Sequence, residues 1–312
     1  MERKNLWGID LGGTKVEGVI LKSADDPEIL FRDRISTEAH KGYAHITGQI
    51  AQMVDIMASA VGYRAEQVGI GTPGTLDPQL GVMKNSNTTS LNGQPLRDDL
   101  EKELRMTIAM ANDANCFALA ETRLGVVKER FPDAKIVFGV IMGTGVGGGL
   151  VINGQVRNGV QGIAGEWGHN FLDASVGTCY CGKVGCVEKV LSGPALEDYY
   201  YHEAGKKKHL KEIVEDAESD PVAGKTISRL THFFGMALSV LVNILDPDVI
   251  VIGGGLGNIE ALYTDGMESL KQHVFNNRVE TPVVKPMLGD SAGVFGAAFL
   301  TDTEYEIIHS KG

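Results

Sequence analysis

The sequence predicts an α/β protein of two domains, each opening on a hairpin with a glycine-rich turn. Three observations lead there. Apolar, β-branched runs alternate with amphipathic runs of helical period. The pattern strand, glycine turn, strand occurs twice, near residue 12 and near residue 145, which reads as an internal duplication. The chain has 312 residues, more than the roughly 100–200 typical of one domain.

Residues 6–10 form a short apolar run ending in Asp10, Gly12-Gly13-Thr14-Lys15 turns the chain, and residues 16–21 are again apolar. Ile46, Ile50, Met53 and Met57 repeat at helical spacing and predict a helix over 43–60. A strand over 67–71 runs into Thr72-Pro73-Gly74, and a short charged helix covers 96–104. A strand over 107–110 ends at Asn112-Asp113, and a helix follows over 114–124. The second half repeats the opening, with a strand over 135–142, a glycine turn over 143–149 and a strand over 150–152. Asn153-Gly154 then signals a two-residue hairpin turn. A long apolar helix covers 227–245, and a buried strand over 249–252 feeds Gly253-Gly254-Gly255. The last helix, 291–300, is rich in Gly and Ala and suits close packing against another backbone. Lys206-Lys207-Lys208 reads as a solvated loop.

The composition is that of a soluble globular chain, with 43% hydrophobic and 22% charged residues. Its formal net charge of −11 disfavours non-specific nucleic-acid binding, because phosphates would be repelled. No signal-peptide core and no run of 18 apolar residues is evident, so the expected compartment is the cytoplasm and no membrane partner is expected. Glycine is over-represented at 40 residues and is clustered, which points to backbone-lined sites.

Gly143-x-Gly145-x-x-Gly148 fits a dinucleotide fingerprint, but that motif needs a helix next, and here a strand and a turn follow. The remaining readings are plain tight turns, or turns whose amides cradle phosphate oxygens. Three such turns, each directly after an apolar strand, favour a nucleotide. Asp10, at a strand end beside the first turn, suits a hydrated Mg²⁺, or caps its own turn. Thr14 and Lys15 can donate to phosphates; for Lys15 a plain surface role fits nearly as well.

Of the four cysteines, Cys179, Cys181 and Cys186 fall within eight residues, ten after His169. Three thiolates and one imidazole suit a closed, tetrahedral, structural Zn²⁺ site; the alternative is three free buried thiols. Cys116 is expected to be a packed apolar residue on a helix. Glu166 and Glu188 bracket the cluster, and carboxylates there suit a neutral polyhydroxyl ligand; each alone would pass as surface charge. His169 has one ring nitrogen for zinc and one for a sugar oxygen. Asp113, between a strand end and a helix start, is placed either as a general base toward a hydroxyl or as a helix cap.

Asp10-Leu11-Gly12-Gly13-Thr14-Lys15, residues 143–149, Gly165-Glu166-Trp167-Gly168-His169 and residues 179–188 together resemble the ROK family (repressors, open reading frames, kinases) nearly end to end. The resemblance implies the actin-like ATPase (ribonuclease H-like) fold, two α/β domains around a cleft with a small structural zinc loop. The expected division sets 1–113 plus 291–312 as the smaller domain and 114–290 as the larger, zinc-bearing one. It also implies ATP and Mg²⁺ as cofactors and a homodimer. Asp113 would be the catalytic base. The sugar ligands would be Asn87, Asn112, Glu166, His169 and Glu188. The nucleotide would be lined by Asp10, Gly12, Gly13, Thr14, Lys15, Gly143, Thr144, Gly145, Gly253, Gly254 and Gly255. The metal would be held by His169, Cys179, Cys181 and Cys186. Residues 84–95 and Trp167 are most similar to bacterial fructokinases of broad hexose specificity, so the expected activity is transfer to the 6-hydroxyl of fructose, with mannose or glucose also taken. N-acetylglucosamine kinases and glucokinases of the family are the alternative. A sugar-responsive repressor would carry a helix-turn-helix before the first turn, where only nine residues precede Asp10. An inactive sugar-binding module is disfavoured by the full set of Asp10, Asp113 and glycine turns.

Overall fold

The computed structural model describes residues 5–302. In chain order its main elements are β1 Leu6–Leu11, β2 Lys15–Leu21, β3 Ile29–Ser36, α1 Tyr43–Val61, β4 Gln67–Thr72, β5 Thr75–Leu76, β6 Met83–Lys84, α2 Leu96–Leu104, β7 Thr107–Asn112, α3 Asp113–Arg123 and α4 Val126–Arg130. There follow β8 Ile136–Met142, β9 Val146–Ile152, β10 Gln155–Val156, α5 Glu188–Leu191, α6 Gly193–Ala204, α7 Leu210–Glu215, α8 Pro221–Leu245, β11 Val249–Gly253, α9 Asp265–His273, β12 Val283–Val284 and α10 Ala292–Phe299. Among the described residues they fold into two compact units, one of residues 5–132, 149–164 and 287–302, the other of Asp133–Gly148 and Gly165–Pro286.

The first unit holds a sheet of order β3-β2-β1-β4-β7. The first hairpin forms as expected, antiparallel from Leu6↔Leu21 to Leu11↔Val16, while β4 and β7 add in parallel. One face takes the apolar stripe of α1, with Ile46, Ile50, Met53 and Met57 fully buried against Trp7, Ile9 and Ile20. The other face takes α10, which can lie this close only because the strands present glycine. A β-carbon on Gly69 would sit 1.8 Å from the Ala297 carbonyl oxygen, and one on Gly8 would sit 2.4 Å from the Ala298 nitrogen. Gly296 in turn admits the Cys116 carbonyl of α3. Strand β3 has no counterpart in the sequence reading. It is an exposed edge strand without apolar alternation, and its inward-reaching charges give no periodic signal.

The second sheet has the order β10-β9-β8-β11-β12. It repeats the plan of the first, a hairpin strand beside a strand that pairs in parallel with the next, as Val249↔Val137 to Gly253↔Ile141 show. Strand β9 carries the chain from the second unit into the first. At its end Asn153 and Gly154 both take positive φ (53° and 75°), the backbone of the expected hairpin turn.

The expected turn over 143–149 is shorter than predicted, because β9 already starts at Val146. The later glycines serve packing: a β-carbon on Gly148 would meet the Trp167 ring at 2.6 Å, and one on Gly149 would meet the Ala114 carbonyl at 2.2 Å. Helix α8 starts earlier than predicted, because Asp220 accepts N–H bonds from Val222 and Ala223 and Pro221 fills the first helical position. By length and composition α8 could cross a membrane, but half of its most apolar stretch is buried within the protein, where it packs on α6, α7 and α9. Lys208 is not a solvated residue. It pairs with Asp216 and Asp220 and stands 5.4 Å over the Tyr200 ring.

Candidate active site

In the first unit, Asp10 lies near the end of β1, in register with Gly71 of β4. Glycines close around it: a β-carbon on Gly293 would come within 3.0 Å of its carboxylate, and one on Gly71 within 3.3 Å, both tight contacts. Burial first, then Asp113 and Glu17, push the Asp10 carboxyl up to about 7. A crowded anionic pair of this kind fits a hydrated divalent cation, whose charge would offset the repulsion. The turn beyond it closes with a Gly12 N–H bond to the Lys15 carbonyl (2.9 Å), and it leaves Gly13 and Thr14 at the exposed tip. Lys15 folds back toward Glu17 at 3.3 Å. Glu17 is fully buried and also holds Arg32 (2.8 Å) and Arg34 (2.9 Å). Burial alone would raise its carboxyl, but the bonds from the two guanidinium groups keep it below the ordinary range.

Asn112 ends β7 and caps α3, its side-chain oxygen accepting the Asn115 N–H at 2.8 Å. The cap is therefore Asn112, and Asp113 is left as the first helical residue, with a carboxylate that takes the adjacent Ala114 N–H at 2.8 Å. Its side chain is open to solvent, yet crowding by surrounding protein raises its pKa, with the Ala114 bond opposing. Asn115, which the sequence reading passed over, fixes this helix start from the other side: its oxygen accepts the Leu150 N–H at 3.0 Å and its amide faces Asn158. Asn87 is exposed on a loop pinned beneath it by Asn92, which both donates to and accepts from the Ser86 backbone at 2.9 Å.

In the second unit, the turn at 143–145 closes with a Gly143 N–H bond to the Gly145 carbonyl (2.9 Å), and Thr144 is exposed. Gly253 ends β11, and Gly254 takes φ 79° where a β-carbon would stand 2.3 Å from the Met142 carbonyl oxygen. Gly255 faces open space. Both runs thus leave backbone uncovered at the ends of neighbouring parallel strands.

His169, Cys179, Cys181 and Cys186 converge, with all four donor atoms within 4.8 Å of one another. Tetrahedral Zn–S bonds of about 2.3 Å give edges of about 3.7 Å. The Cys181–Cys186 sulfurs lie 3.6 Å apart, and the Cys179 sulfur lies 3.7 Å from His169 Nδ1. The cysteines are unbonded thiols, and their chemistry asks for a cation: the Lys183 N–H holds Cys181 below the ordinary thiol range, while burial and the neighbouring sulfurs push Cys186 up to about 12. The residues fit zinc. The second nitrogen of His169 is faced by the Tyr180 hydroxyl at 3.0 Å, a partner the sequence reading did not foresee. Crowding first, then Glu188, Cys179 and Glu166, push that hydroxyl up to about 12, so both expected carboxylates lie around it. Glu166 opens the short helical turn Trp167–His169. Trp167 docks that turn on β9 by an N–H bond to the Gly147 carbonyl at 2.9 Å. Glu188 turns one oxygen to the Val146 N–H at 2.9 Å.

Two α/β units with one repeated strand order, hairpin turns, a crowded acid pair and a cysteine loop define an actin-like ATPase fold of the sugar-kinase type. Comparison with known proteins bears this out. The ROK hexokinase of Thermus thermophilus superposes with a TM-score of 0.85 at 29% identity, covering 96% of this chain and 99% of that one. A ROK family glucokinase of Streptomyces griseus, in complex with glucose and AMPPNP, gives a TM-score of 0.75 at 28% identity, over 95% and 99%. N-acetyl-D-glucosamine kinase of Aliivibrio fischeri is 34% identical over 305 residues, covering 94% of this chain and 98% of that protein. The enzyme of that name from Salmonella typhimurium is 33% identical over 309 residues, covering 96% and 99%. Residues 6–304 match the ROK family, and the chain belongs to it. The similarity to fructokinases expected from residues 84–95 and Trp167 is not what these relatives carry; they are named as N-acetyl-D-glucosamine kinases.

Proposed function

We propose that this protein is an ATP-dependent sugar kinase acting on the 6-hydroxyl of a hexose, with N-acetylglucosamine as its preferred substrate. Fructose, the first expectation, gives way because relatives matched over nearly the whole chain are kinases of the N-acetylated sugar. The observation that carries the chemistry is Asp113. It is an open carboxylate of raised pKa at the carboxyl end of a parallel strand, left free of capping because Asn112 does that work.

In this reading Asp113 accepts the proton of the sugar hydroxyl as its oxygen bonds to the γ-phosphorus of ATP, and the bond from that phosphorus to the β-phosphate bridging oxygen breaks to release ADP. A carboxyl raised above its ordinary range is a better proton acceptor at neutral pH. The amides of residues 12–15 and 143–145, with Gly253, Gly254 and Gly255, hold the phosphates. Asp10 would hold Mg²⁺, whose charge would offset that of the transferring group. Asn87, Asn112, Glu166, His169 and Glu188 are assigned to the sugar hydroxyls. With Asn112 Oδ1 spent on its cap and one Glu188 oxygen on Val146, these two offer the amide N–H₂ and one oxygen respectively, while His169 Nε2 reaches the sugar by exchanging the Tyr180 hydroxyl for a sugar oxygen. Zinc, held by His169, Cys179, Cys181 and Cys186, would fix the loop that carries three of the five.

An ADP-release assay across N-acetylglucosamine, N-acetylmannosamine, glucose, mannose and fructose tests the reading. The expected result is the highest kcat/KM for N-acetylglucosamine. A higher value for fructose would restore the first expectation, and no phosphorylation of any sugar would remove the kinase.

A further inference from the structure

The glycine turn at 143–146 is not self-supporting. Its backbone is held by the two segments that enter and leave the cysteine cluster. On the leaving side, Glu188 follows the last donor, Cys186, by two residues, and its Oε2 accepts the Val146 N–H at 2.9 Å. The same oxygen lies 2.7 Å from where a β-carbon on Gly145 would stand, so only glycine lets the carboxylate come this close. A little further on, the Gly193 N–H donates to the Gly143 carbonyl at 2.8 Å. On the entering side, two residues before His169, Trp167 Nε1 donates to the Gly147 carbonyl at 2.9 Å. Gly168 lies against the Val146 carbonyl, 2.0 Å from where its own β-carbon would be. Both ends of the turn and the start of β9 therefore rest on residues whose position depends on how the four donors are held together.

We infer that Glu188 is a positioning residue that carries the metal state of the His169–Cys179–Cys181–Cys186 cluster to the 143–146 turn, so that metal occupancy and nucleotide affinity are linked. The inference rests on reading that turn as a phosphate loop. A carboxylate accepting a backbone N–H makes a stronger bond than a neutral acceptor, and it fixes the amide that begins β9. Loosening the cluster frees Glu188, lets the turn sample other conformations and adds their ordering to the cost of binding a phosphate. Linkage is reciprocal, so bound nucleotide must tighten metal retention by the same factor.

The test uses the full chain without sugar. ADP binding is measured by calorimetry, and amide exchange is followed over 143–150, for the metal-loaded protein, for Cys181→Ser (an exposed donor), and for Glu188→Ala and Glu188→Gln. Glu188→Ala and Cys181→Ser are each expected to weaken ADP about tenfold, the size of one charge-assisted hydrogen bond, and to speed exchange at Val146. Glu188→Gln keeps an oxygen acceptor and is expected to stay within about threefold. Glu188→Ala with full metal content that binds ADP as the parent does, with Val146 equally protected, overturns the inference, even where Cys181→Ser fails to fold. If the parent protein binds no ADP, the phosphate reading falls. Exchange at Val146 then still decides the mechanical link, a metal-dependent rate supporting it and an unchanged rate ending it.

Discussion

The two glycine turns are built alike and anchored differently. Each follows a buried strand, closes with one backbone bond and opens a second strand of the same sheet. The turn at 12–15 is tied down by what comes next in the chain: Thr37, just past β3, donates its hydroxyl to the Gly12 carbonyl (2.7 Å) and its N–H to the Thr14 carbonyl (3.0 Å). The strand it opens carries Glu17, locked to two arginines of β3. The turn at 143–146 is held by Glu188 and Gly193, remote in sequence and downstream of the His169–Cys179–Cys181–Cys186 cluster. A duplicated hairpin thus keeps its shape in both copies, while its support is local in one and remote in the other.

The largest expected effect comes from the residue that neither turn touches. Asp113→Asn should lower kcat by about 10³, at the middle of what general-base removal costs, and leave ADP affinity unchanged, because no amide of either turn bonds to it. Turnover close to that of the parent, with sugar still bound, would mean the two turns frame some other chemistry.

Removing the metal comes next. Chelation should destabilise the second unit by several kcal/mol, since a closed thiolate site couples binding to folding, and lower its melting transition by roughly 10 °C. The transition of the first unit should stay in place. A calorimetric scan in which a single transition shifts as a whole would show that the remote support is not confined to one unit.

The acid behaviour of Glu17 sharpens the contrast from the other side. Its folded pKa lies below the unfolded value, so its contribution is present above the unfolded pKa and is lost as pH falls through the folded one. Stability of the first unit should therefore drop in the acid range, below the ordinary carboxylate pKa near 4.5. Glu17→Gln should flatten that slope in urea titrations and cost about 2–3 kcal/mol at neutral pH. That is less than for a fully enclosed pair, because the Arg32 and Arg34 side chains are 35% and 45% exposed. An unchanged slope in the variant would place the acid-labile group elsewhere.

What the sequence disclosed and what it hid divide along the same line. Period and turn chemistry located both hairpins, α1, α2 and the Asn153-Gly154 turn, because each is decided by residues near in sequence. The spacing of Cys179, Cys181 and Cys186 after His169 was enough to place the cluster. The anchors stayed hidden, since a carboxylate such as Glu17 or Glu188 has no periodic signature and its partners lie in other elements. Glu121 is the clearest instance: it is fully buried on α3 and accepts the Met287 and Leu288 N–H groups far down the chain. Nor does composition mark where the chain passes between units, one crossing falling inside the continuous strand β9. Gly148 and Gly149 misled for a related reason, as they permit close packing and do not make a turn.

The smallest effect is the most discriminating. Thr37→Val keeps the shape of a fully buried residue and its N–H bond to Thr14, and loses only the hydroxyl bond to Gly12. One neutral hydrogen bond is worth about 1 kcal/mol, so ADP affinity should fall by no more than about fivefold. Its interaction with Cys181→Ser is the telling measurement. Supports that are separate should give additive losses, within about 0.5 kcal/mol, whereas Glu188→Ala combined with Cys181→Ser should lose little more than either alone, because both break one chain of contacts. Strong coupling between Thr37→Val and Cys181→Ser would mean that the first turn also answers to the metal, and that the two hairpins differ in sequence but not in how they are held.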